Sequence, residues 1–483
     1  MPVRISRQLR HRAALFGATA GATAVAAIAG AIPAQAAAAP MTEAQAQQIG
    51  TDAYVYGIPL MEFNREAEHQ TSVTVPDSLS DAPINQLGNA RELDTAANAV
   101  FVQPNNDTLY TMGHLDLGDG ALVLHVAAIA NHRYFSFEFL NPYTTVFHYV
   151  GTRTTGDGAQ TYVITGPKFH GKIPRGLRRI RSPYELAWLV GRTLVLGQSD
   201  LPAVHKVQDG YKLLPLTEYV KHGLNWRAPR PTDVVKTPKT VVEPTGLKFF
   251  DELGDDLAAA PPPGRDAAIL KELQTVGIGP GLQPSSEHLS AAVVQGLTAA
   301  VASGPATVAT LKTKIAAASV LKNNGWFVPP PDIGNYGNDY DLRAVVALNG
   351  IAANLPAEAM YIVGVTGSKG GYLNGANDYV IHFPAGHLPP AKYFWSVTMY
   401  NSSFFLVSNP ISRYELASHT AGLKYNSDGS LDIYIQASAP AGHESNWLPS
   451  PASGDFEVTL RLYGPGPTAL GRTYTYPVIE ETN

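Results

Sequence analysis

The sequence predicts an α+β fold in which a β-rich segment, a helical segment and a second β-rich segment follow one another. Residues 133–140 and 456–463 alternate apolar and polar side chains, as half-buried strands do. Between them, residues 247–320 repeat apolar side chains every three or four positions, as amphipathic helices do. The 44 glycines and 37 prolines favour many turns and short elements over long bundles.

The composition limits the class of protein. The 483 residues are 45% hydrophobic and only 16% charged, which is enough apolar material for at least two domains. The net charge of -5 and the absence of a basic stripe interleaved with aromatic residues argue against nucleic acid as a partner. The chain has no cysteine, which excludes thiol catalysis and thiolate metal sites.

Residues 1–36 have the pattern of a secretory signal peptide. A head with four arginines precedes the soft apolar stretch Ala13–Ile32, and Ala34-Gln35-Ala36 forms a small-x-small cleavage site. We therefore expect a secreted or extracytoplasmic protein with no stable membrane span after cleavage. A membrane anchor is the alternative, because the stretch is nearly long enough to span a bilayer, although its Ala/Gly content makes it weakly hydrophobic.

In the N-terminal half, we expect a helix from about residue 43, interrupted at Gly57 and Pro59, and a loop over 70–98. Strands follow from 99 to about 150, with Phe135, Phe137 and Phe139 on one core-facing side. Gly118-Asp119-Gly120 marks a turn between two of these strands. Two short helices are expected to begin at the capping-box match 182–185 and near residue 201.

In the remainder, four prolines between 225 and 245 indicate an extended crossover. Four helices are then expected near 247–257, 269–273, 289–301 and 308–320. From residue 326 the pattern returns to strands, at 379–383, 394–399 and 456–463. Asn426-Ser427-Asp428-Gly429 is typical of a hairpin turn.

Several segments resemble a bacterial two-domain family, known as domain of unknown function 1254 (N-terminal) and domain of unknown function 1214 (C-terminal). In the N-terminal half the resemblance rests on VQPNNDTLYT (102–111), RYFSFEFLNPYTTVF (133–147), GTRTTG (151–156) and Gly166-Pro167. In the C-terminal half it rests on NGW (324–326), NYGNDYDLRA (335–344), LPAEAMY (355–361), PPAKYFWSVTMYN (389–401), NPISRYEL (409–416), YNSDGSLDIYIQ (425–436) and NWLPSP (446–451).

The resemblance implies two β-sandwich, jelly-roll-like domains joined by helices, and a homo-oligomer. It places the N-terminal domain at 37–220, a crossover and helical linker at 221–325, and the C-terminal domain at 326–483. Asn141 stands where the family commonly has Asp, and Thr145 where it has Asn. An activity that needs an acid at position 141 is therefore not expected here.

The candidate site lies at the ends of the N-terminal strands. Asn105, Asn106 and Asp107 offer amide and carboxylate oxygens, and Asp107 is a candidate general base or a partner for Arg153. The alternative is an Asx-turn that only shapes the chain. The guanidinium of Arg153 is suited to a carboxylate or phosphate oxygen, with a structural arginine that bonds loop carbonyls as the alternative.

Glu138 and Tyr134 share the strand face opposite the phenylalanines. If that face lines a pocket, Glu138 is a candidate acid or base, and Tyr134 and Tyr110 would orient the substrate. A solvated sheet face is the alternative.

The histidines predict no metal site, because the sequence contains no HxH or HExxH motif. His148, which we place with the substrate-binding residues, is the best single metal candidate. In the C-terminal half, Trp395 and Arg413, with Tyr400, Tyr414 and Trp447, could stack on a flat ligand or sugar. Core packing is the alternative for this aromatic set.

The leading hypothesis is a secreted enzyme that acts on a small organic molecule by hydrolysis, elimination or isomerisation. Asp107, Glu138 and Arg153 are its catalytic candidates, and no organic cofactor is expected. The sequence has no GxSxG motif, no complete P-loop and no Rossmann fingerprint after a strand. Two alternatives stay open: a protein that binds a small ligand or envelope glycan without turnover, and a structural envelope protein.

Overall fold

The computed structural model describes residues 40–97 and 102–483. The predicted signal peptide and residues 98–101 lie outside the described residues. The chain divides into two compact units. One is helical and joins the residues up to Tyr54 with Glu243–Pro305; the other is rich in strands and joins Val55–Val242 with Ala306–Asn483.

The helices are numbered α1 to α8 and the strands β1 to β18 in chain order. The helices are α1 Glu43–Gln70, α2 Leu201–Asp209, α3 Leu216–His222, α4 Leu247–Ala259, α5 Ala267–Leu273, α6 Ala291–Lys322, α7 Tyr340–Gly350 and α8 Pro467–Leu470. The first nine strands are β1 Gly88–Asn89, β2 Thr108–Asp116, β3 Leu122–Val126, β4 Phe135–Leu140, β5 Val146–Gly151, β6 Gln160–Thr165, β7 Arg178–Arg181, β8 Leu186–Leu194 and β9 Tyr211–Pro215. The others are β10 Trp326–Phe327, β11 Ala359–Gly364, β12 Tyr379–Phe383, β13 Ala391–Asn401, β14 Glu415–Ala417, β15 Leu431–Gln436, β16 Trp447–Pro449, β17 Phe456–Pro465 and β18 Ile479–Glu481.

The helical unit has its own apolar core. The ring of Tyr54 stacks on that of Phe249 with centroids 4.9 Å apart, and Leu253 and Leu297 are fully buried. A Cβ at Gly304 would lie 2.6 Å from the Tyr54 ring, so only glycine allows this close approach. The predicted helices at 247–257 and 269–273 are confirmed as α4 and α5.

Two predicted interruptions are wrong. The third and fourth predicted helices are one helix, α6, which continues through Pro305. Likewise α1 runs through Gly57 and Pro59 to Gln70. The neighbouring side chains of Ile58 and Leu60 are almost fully buried, and burial of this kind outweighs local helix propensity.

The strand-rich unit contains two β-sandwiches, as the α+β two-domain prediction required. In the first, sheet A (β1-β2-β8-β4-β5) packs on sheet B (β7-β6-β3-β9). In the second, sheet C (β10-β11-β17-β13-β14) packs on sheet D (β16-β15-β12-β18). Each sandwich has one parallel strand pair, β6 with β7 and β15 with β16.

The alternation of the strands predicts the cores correctly. Phe135, Phe137 and Phe139 lie in the core of the first sandwich, between sheets A and B. The apolar series of β17, from Phe456 to Leu462, lies in the core of the second. The turn at residues 118–120 is confirmed, but its two flanking strands, β2 and β3, belong to different sheets.

Three local predictions fail. Residues 182–185 form no helix, because they connect β7 to β8 and the Ser182 hydroxyl donates to the Tyr184 carbonyl at 2.6 Å. The helix α7, capped by the Asp339 carboxylate on the Leu342 N–H, is missed. The turn at 426–429 exists, but β15 pairs with β12 and β16 and not with the residues before the turn.

Within the described residues, one stretch of helix, Ala291–Ala317, is long and apolar enough to cross a membrane. Length and composition alone support that reading, and 39% of its most apolar window is buried inside the protein. Core helices pass the same test, so the expected lack of a membrane span stays a prediction.

Candidate functional site

The faces of sheets A and C that point away from the two cores meet each other and form a buried polar layer. The Tyr134 ring contacts the rings of Phe394 and Tyr463 across this boundary. We use "polar layer" for the outward-facing polar side chains of these two sheets. They are Thr108, Tyr110, Tyr134, Ser136, Glu138 and Arg192 of sheet A, and Tyr361, Ser396, Thr398, Tyr400, Glu415, Thr459, Arg461 and Tyr463 of sheet C.

Glu138 forms the first group in the layer. It is fully buried, and the Arg192 guanidinium donates to its Oε2 at 2.8 Å. The Tyr149 hydroxyl lies 3.3 Å from its Oε1 and 3.1 Å from Oδ1 of Asn354. The strand register explains the pairing, because Arg192 on β8 lies directly opposite Ser136 on β4, two residues before Glu138.

Burial raises the pKa of Glu138 to about 7, against the opposing effect of Arg192. A carboxyl with a pKa near neutrality exchanges its proton readily, which is what a general acid or base requires. The predicted alternative of a solvated face is wrong, since Glu138 has no exposed surface.

Glu358 forms the second group. Its Oε2 accepts from Nε of Arg153 at 2.6 Å, and its Oε1 accepts from the Tyr134 hydroxyl at 2.7 Å. Burial, and next the Glu358 charge, raise the pKa of Tyr134. Glu358 is almost fully buried, whereas 28% of the Arg153 side chain is exposed, so this group joins the layer to the surface.

The surface beside Arg153 is a groove. It has a cavity volume of about 350 Å³ and is lined by Arg153, Lys392, Tyr393 and the loop Gly464–Pro467. A neighbouring cavity of about 310 Å³ shares Lys392 and Tyr393. The Tyr393 ring lies 5.2 Å from that of Tyr134, so the groove borders the layer directly. Arginine and lysine at this edge favour an anionic ligand.

Asp107, just before β2, belongs to a third group, which it forms with residues at β14 of sheet C. It is fully buried, and its Oδ2 accepts from the Ser396 hydroxyl at 2.6 Å. One oxygen or nitrogen atom from each of Asp107, Glu415 and His419 lies within 4.8 Å of the others. Burial, and then the neighbouring Asp107, raise the pKa of Glu415, whereas burial lowers that of His419.

Several buried polar atoms of the layer have no hydrogen-bond partner among the described residues. On sheet A they are Oγ1 of Thr108, Oγ of Ser136 and Nε of Arg192; on sheet C they are Oγ1 of Thr459 and Oε2 of Glu415. Buried polar groups in proteins are normally hydrogen bonded. Each such atom calls for an explanation, such as a bound water, an ion or a ligand.

The structure separates the three predicted catalytic residues into these three groups. Asp107 is not the partner of Arg153, because the carboxylate bound to Arg153 is that of Glu358. The sequence could not show this, since Glu358 is 205 positions away from Arg153. All three residues nevertheless border the same polar layer.

The asparagines before β2 have structural contacts. Oδ1 of Asn105 accepts from the Asp107 N–H at 2.6 Å, which supports the Asx-turn alternative. Its Nδ2 donates to the Tyr463 hydroxyl, and Asn106 donates to the Asp94 carbonyl. Tyr110 does lie in the layer, with its ring 5.6 Å from the Arg192 guanidinium.

The other predicted binding residues lie outside the layer. His148 is opposite Phe139, so it is on the core side of sheet A and not on the Glu138 side. Trp395 packs in the core of the second sandwich, and Arg413 donates to the carbonyls of Glu444 and Trp447. Trp395 thus supports the core-packing alternative, whereas Tyr400, another member of the aromatic set, faces the polar layer. Asn141 accepts from the N–H groups of Tyr143 and Thr145, which is a turn role.

The sequence reasoning missed Arg192, Glu358, Glu415 and His419. A signal existed for the last two, because Glu415 and His419 are four residues apart in ELASH. For Arg192, the alternation of β8 places a charge in an otherwise apolar strand, LAWLVGRTL. An isolated charge there predicts a buried partner.

The fold and the layer define a two-sandwich α+β protein, and comparison with known proteins agrees. Residues 84–215 match the family "Protein of unknown function (DUF1254)", and residues 358–467 match "Protein of unknown function (DUF1214)". The chain belongs to the two-domain family in which these halves are combined. No curated protein matches it.

Similar solved structures include the following two. The VPA0106 protein from Vibrio parahaemolyticus has a TM-score of 0.66 and 21% identity, over 91% of this chain and 100% of that one. A putative uncharacterized protein from Burkholderia cenocepacia has a TM-score of 0.43 and 14% identity, over 91% and 94%. The first likeness supports the fold; neither identifies a reaction.

Proposed function

We propose that this protein is an exported enzyme that acts on a small organic molecule bearing a carboxylate or carbonyl oxygen. The reaction is an acid–base hydrolysis, elimination or isomerisation without an organic cofactor. The observation that carries the proposal is Glu138, a fully buried carboxyl with a pKa of about 7 beside unpaired donors. Export rests on the signal-peptide pattern of residues 1–36.

The donors beside Glu138 suit a substrate oxygen. Nε of Arg192 and the hydroxyl of Ser136 lie on directly opposite residues of neighbouring strands, and neither atom has a hydrogen-bond partner among the described residues by distance and angle. In this proposal they bind the oxygen, which gains negative charge as the reaction proceeds, and Glu138 moves the proton. Tyr149 and Asn354 hold the carboxyl in position.

The groove at Arg153 provides the entry. Arg153 and Lys392 attract the anionic substrate, and the hydrogen-bonded Tyr134 and Glu358 side chains lie between the groove and Glu138, so they would have to move apart to admit it. Asp107, the other predicted base, lies in the separate group at Ser396, so we assign the proton transfer to Glu138.

A panel of small carboxylic acids, esters and lactones tests the proposal, with binding followed by thermal shift and turnover by NMR. Glu138→Gln keeps the size of the side chain and removes the base. We expect it to bind the same ligand and to lower kcat by about 10²–10⁴. Glu185→Gln, on the loop between β7 and β8, is the control and should leave kcat unchanged.

Full turnover by Glu138→Gln would reject Glu138 as the group that moves the proton. A ligand that binds the wild type and is never converted would instead favour the binding-protein alternative. The open cationic groove is the observation that supports that alternative.

A further inference from the structure

The buried group at Asp107 combines three metal-donor side chains from two sandwiches. Asp107 precedes β2 of the first sandwich, Glu415 begins β14 of the second, and His419 lies in the turn after β14. One donor atom of each lies within 4.8 Å of the other two. We propose that Asp107, Glu415 and His419 bind a divalent transition-metal ion, with Zn²⁺ the preferred species.

The first argument is that each residue has a free donor atom. Oδ1 of Asp107, Oε2 of Glu415 and Nδ1 of His419 are buried, and none of them has a hydrogen-bond partner among the described residues outside this group. Asp107 has no exposed surface at all. Two carboxylates in a buried site are costly without a cation or a proton between them, and a metal ion would satisfy all three atoms together.

The second argument is the position of the nearest guanidinium. Nη1 of Arg461 donates to the hydroxyl of Thr398 at 2.7 Å, and Nη2 donates to the hydroxyl of Tyr400 at 2.6 Å and to the Gln103 carbonyl at 3.3 Å. These bonds direct Arg461 to neutral oxygens. Among the described residues, the Asp107 and Glu415 carboxylates therefore form no ion pair within 4 Å of the kind that Glu138 and Glu358 have.

The third argument is that the donors are held in place from outside the group. The Ser396 hydroxyl binds Oδ2 of Asp107 and leaves Oδ1 free. The preceding loop is fixed to sheet C, since Tyr400 donates to the Pro104 carbonyl and Asn105 donates to Tyr463. His419 has a hydrogen bond to the Val195 backbone. Such outer contacts orient the ligands of metal sites.

The donor set selects the kind of ion. One imidazole and two carboxylates suit Zn²⁺ or Mn²⁺ better than Ca²⁺ or Mg²⁺, which prefer oxygen alone. Metal–ligand bonds of about 2.1 Å place the donors roughly 3–3.5 Å apart, so the three side chains close around the ion when it binds. Three protein ligands leave at least one coordination position for water or a substrate oxygen.

The experiment uses full-length protein stripped with a chelator and titrated with Zn²⁺, Mn²⁺ or Ca²⁺ by calorimetry. We expect about one Zn²⁺ per chain, weaker Mn²⁺ binding and no Ca²⁺ binding. His419→Ala should weaken Zn²⁺ binding more than about 100-fold. His382→Ala is the matched control, because His382 forms an exposed pair with Asp432 and should keep wild-type affinity.

Glu415→Gln distinguishes the metal from a shared proton. With a metal site, this variant loses Zn²⁺ binding and the Zn²⁺-dependent rise in Tm. If the carboxyls only share a proton, the variant keeps its Tm, and Zn²⁺ changes neither protein. Equal Zn²⁺ affinity of wild type and His419→Ala, with near-UV circular dichroism unchanged, would overturn the proposal.

The metal site and the Glu138 group use different residues. Failure of the metal proposal therefore leaves the proposed enzyme intact, and failure of Glu138 leaves the metal proposal intact.

Discussion

The two faces of β4 are both buried, yet they differ in kind. Phe135, Phe137 and Phe139 contribute purely apolar side chains to the core between sheets A and B. Ser136 and Glu138, on the other face, lie in the polar layer, where several atoms have no hydrogen-bond partner in the part of the chain that the structure describes. The same contrast holds along β17, where Leu460 enters a core and Arg461 enters the layer.

This difference separates stability from function. An apolar face stabilises in proportion to the area that it removes from water. A buried polar face gives little net stability, and replacing a buried ion pair by apolar residues is often neutral or stabilising. The charged layer is therefore not explained by stability alone, which agrees with the function proposed for Glu138.

The largest effect on stability should come from removing one partner of the buried ion pair between Arg192 and Glu138. Arg192→Met leaves the Glu138 carboxyl buried without its guanidinium, and we expect a loss of about 3–5 kcal/mol in the free energy of unfolding. Urea denaturation measures it. The double variant Arg192→Met with Glu138→Leu should be clearly more stable than Arg192→Met alone, because it also removes the unpaired carboxyl. If the double variant is no more stable, the polar face does not differ from the apolar face in the way described above.

Phe137→Ala tests the apolar face. Removing this fully buried ring should cost about 3–5 kcal/mol in unfolding free energy, at the lower end if the core partly collapses. Phe169→Ala, at a partly buried ring outside this core, is the control and should cost less. Unlike the loss caused by Arg192→Met, the loss caused by Phe137→Ala should not be reversed by a second substitution on the polar face.

The titration of Glu138 should make the free energy of unfolding depend on pH. Because its pKa is about 7 when folded and 4.5 otherwise, the folded state holds the proton more tightly. The contribution of the protonated Glu138 carboxyl to the free energy of unfolding is complete below pH 4.5 and is lost as the pH rises through about 7. The loss is at most about 3 kcal/mol. Glu138→Gln cannot titrate, so the difference between wild type and this variant in urea unfolding against pH isolates the effect. A flat difference would show that the pKa is not raised.

Tyr134→Phe should have the smallest effect. It removes the hydroxyl that donates to Oε1 of Glu358 at 2.7 Å, and Arg153 still pairs with Oε2. We expect a loss of about 1–2 kcal/mol, measured by urea denaturation. Tyr425→Phe, at an exposed ring, is the control and should be neutral. A loss as large as that of Arg192→Met would mean that the group formed by Glu358 contributes as much to the free energy of unfolding as the group formed by Glu138.

The alternation of strand residues was enough to predict the two cores and the polar face opposite each. In β4 and β17 a period of two assigns every side chain to a side of the sheet, and this follows from backbone geometry alone. The β–helical–β order of the chain is likewise visible in the periodicity. Predictions that rest on only a few residues were less successful. The helix predicted to begin at Ser182–Glu185 is absent, because the neighbouring strands determine the conformation of that segment.

Only the tertiary structure decided that the polar faces meet and which charges pair. Glu138 and Arg192 are 54 positions apart, and Arg153 and Glu358 are 205 apart, so no local pattern links them. The chain by itself determined which side chains each sheet presents, because strand geometry is local. The pairing of β4 with β8 within sheet A decided that Arg192 is the partner of Glu138, and the packing of the two sandwiches decided that Glu358 is the partner of Arg153. The burial that raises the pKa of Glu138 likewise depends on residues that are remote in the sequence.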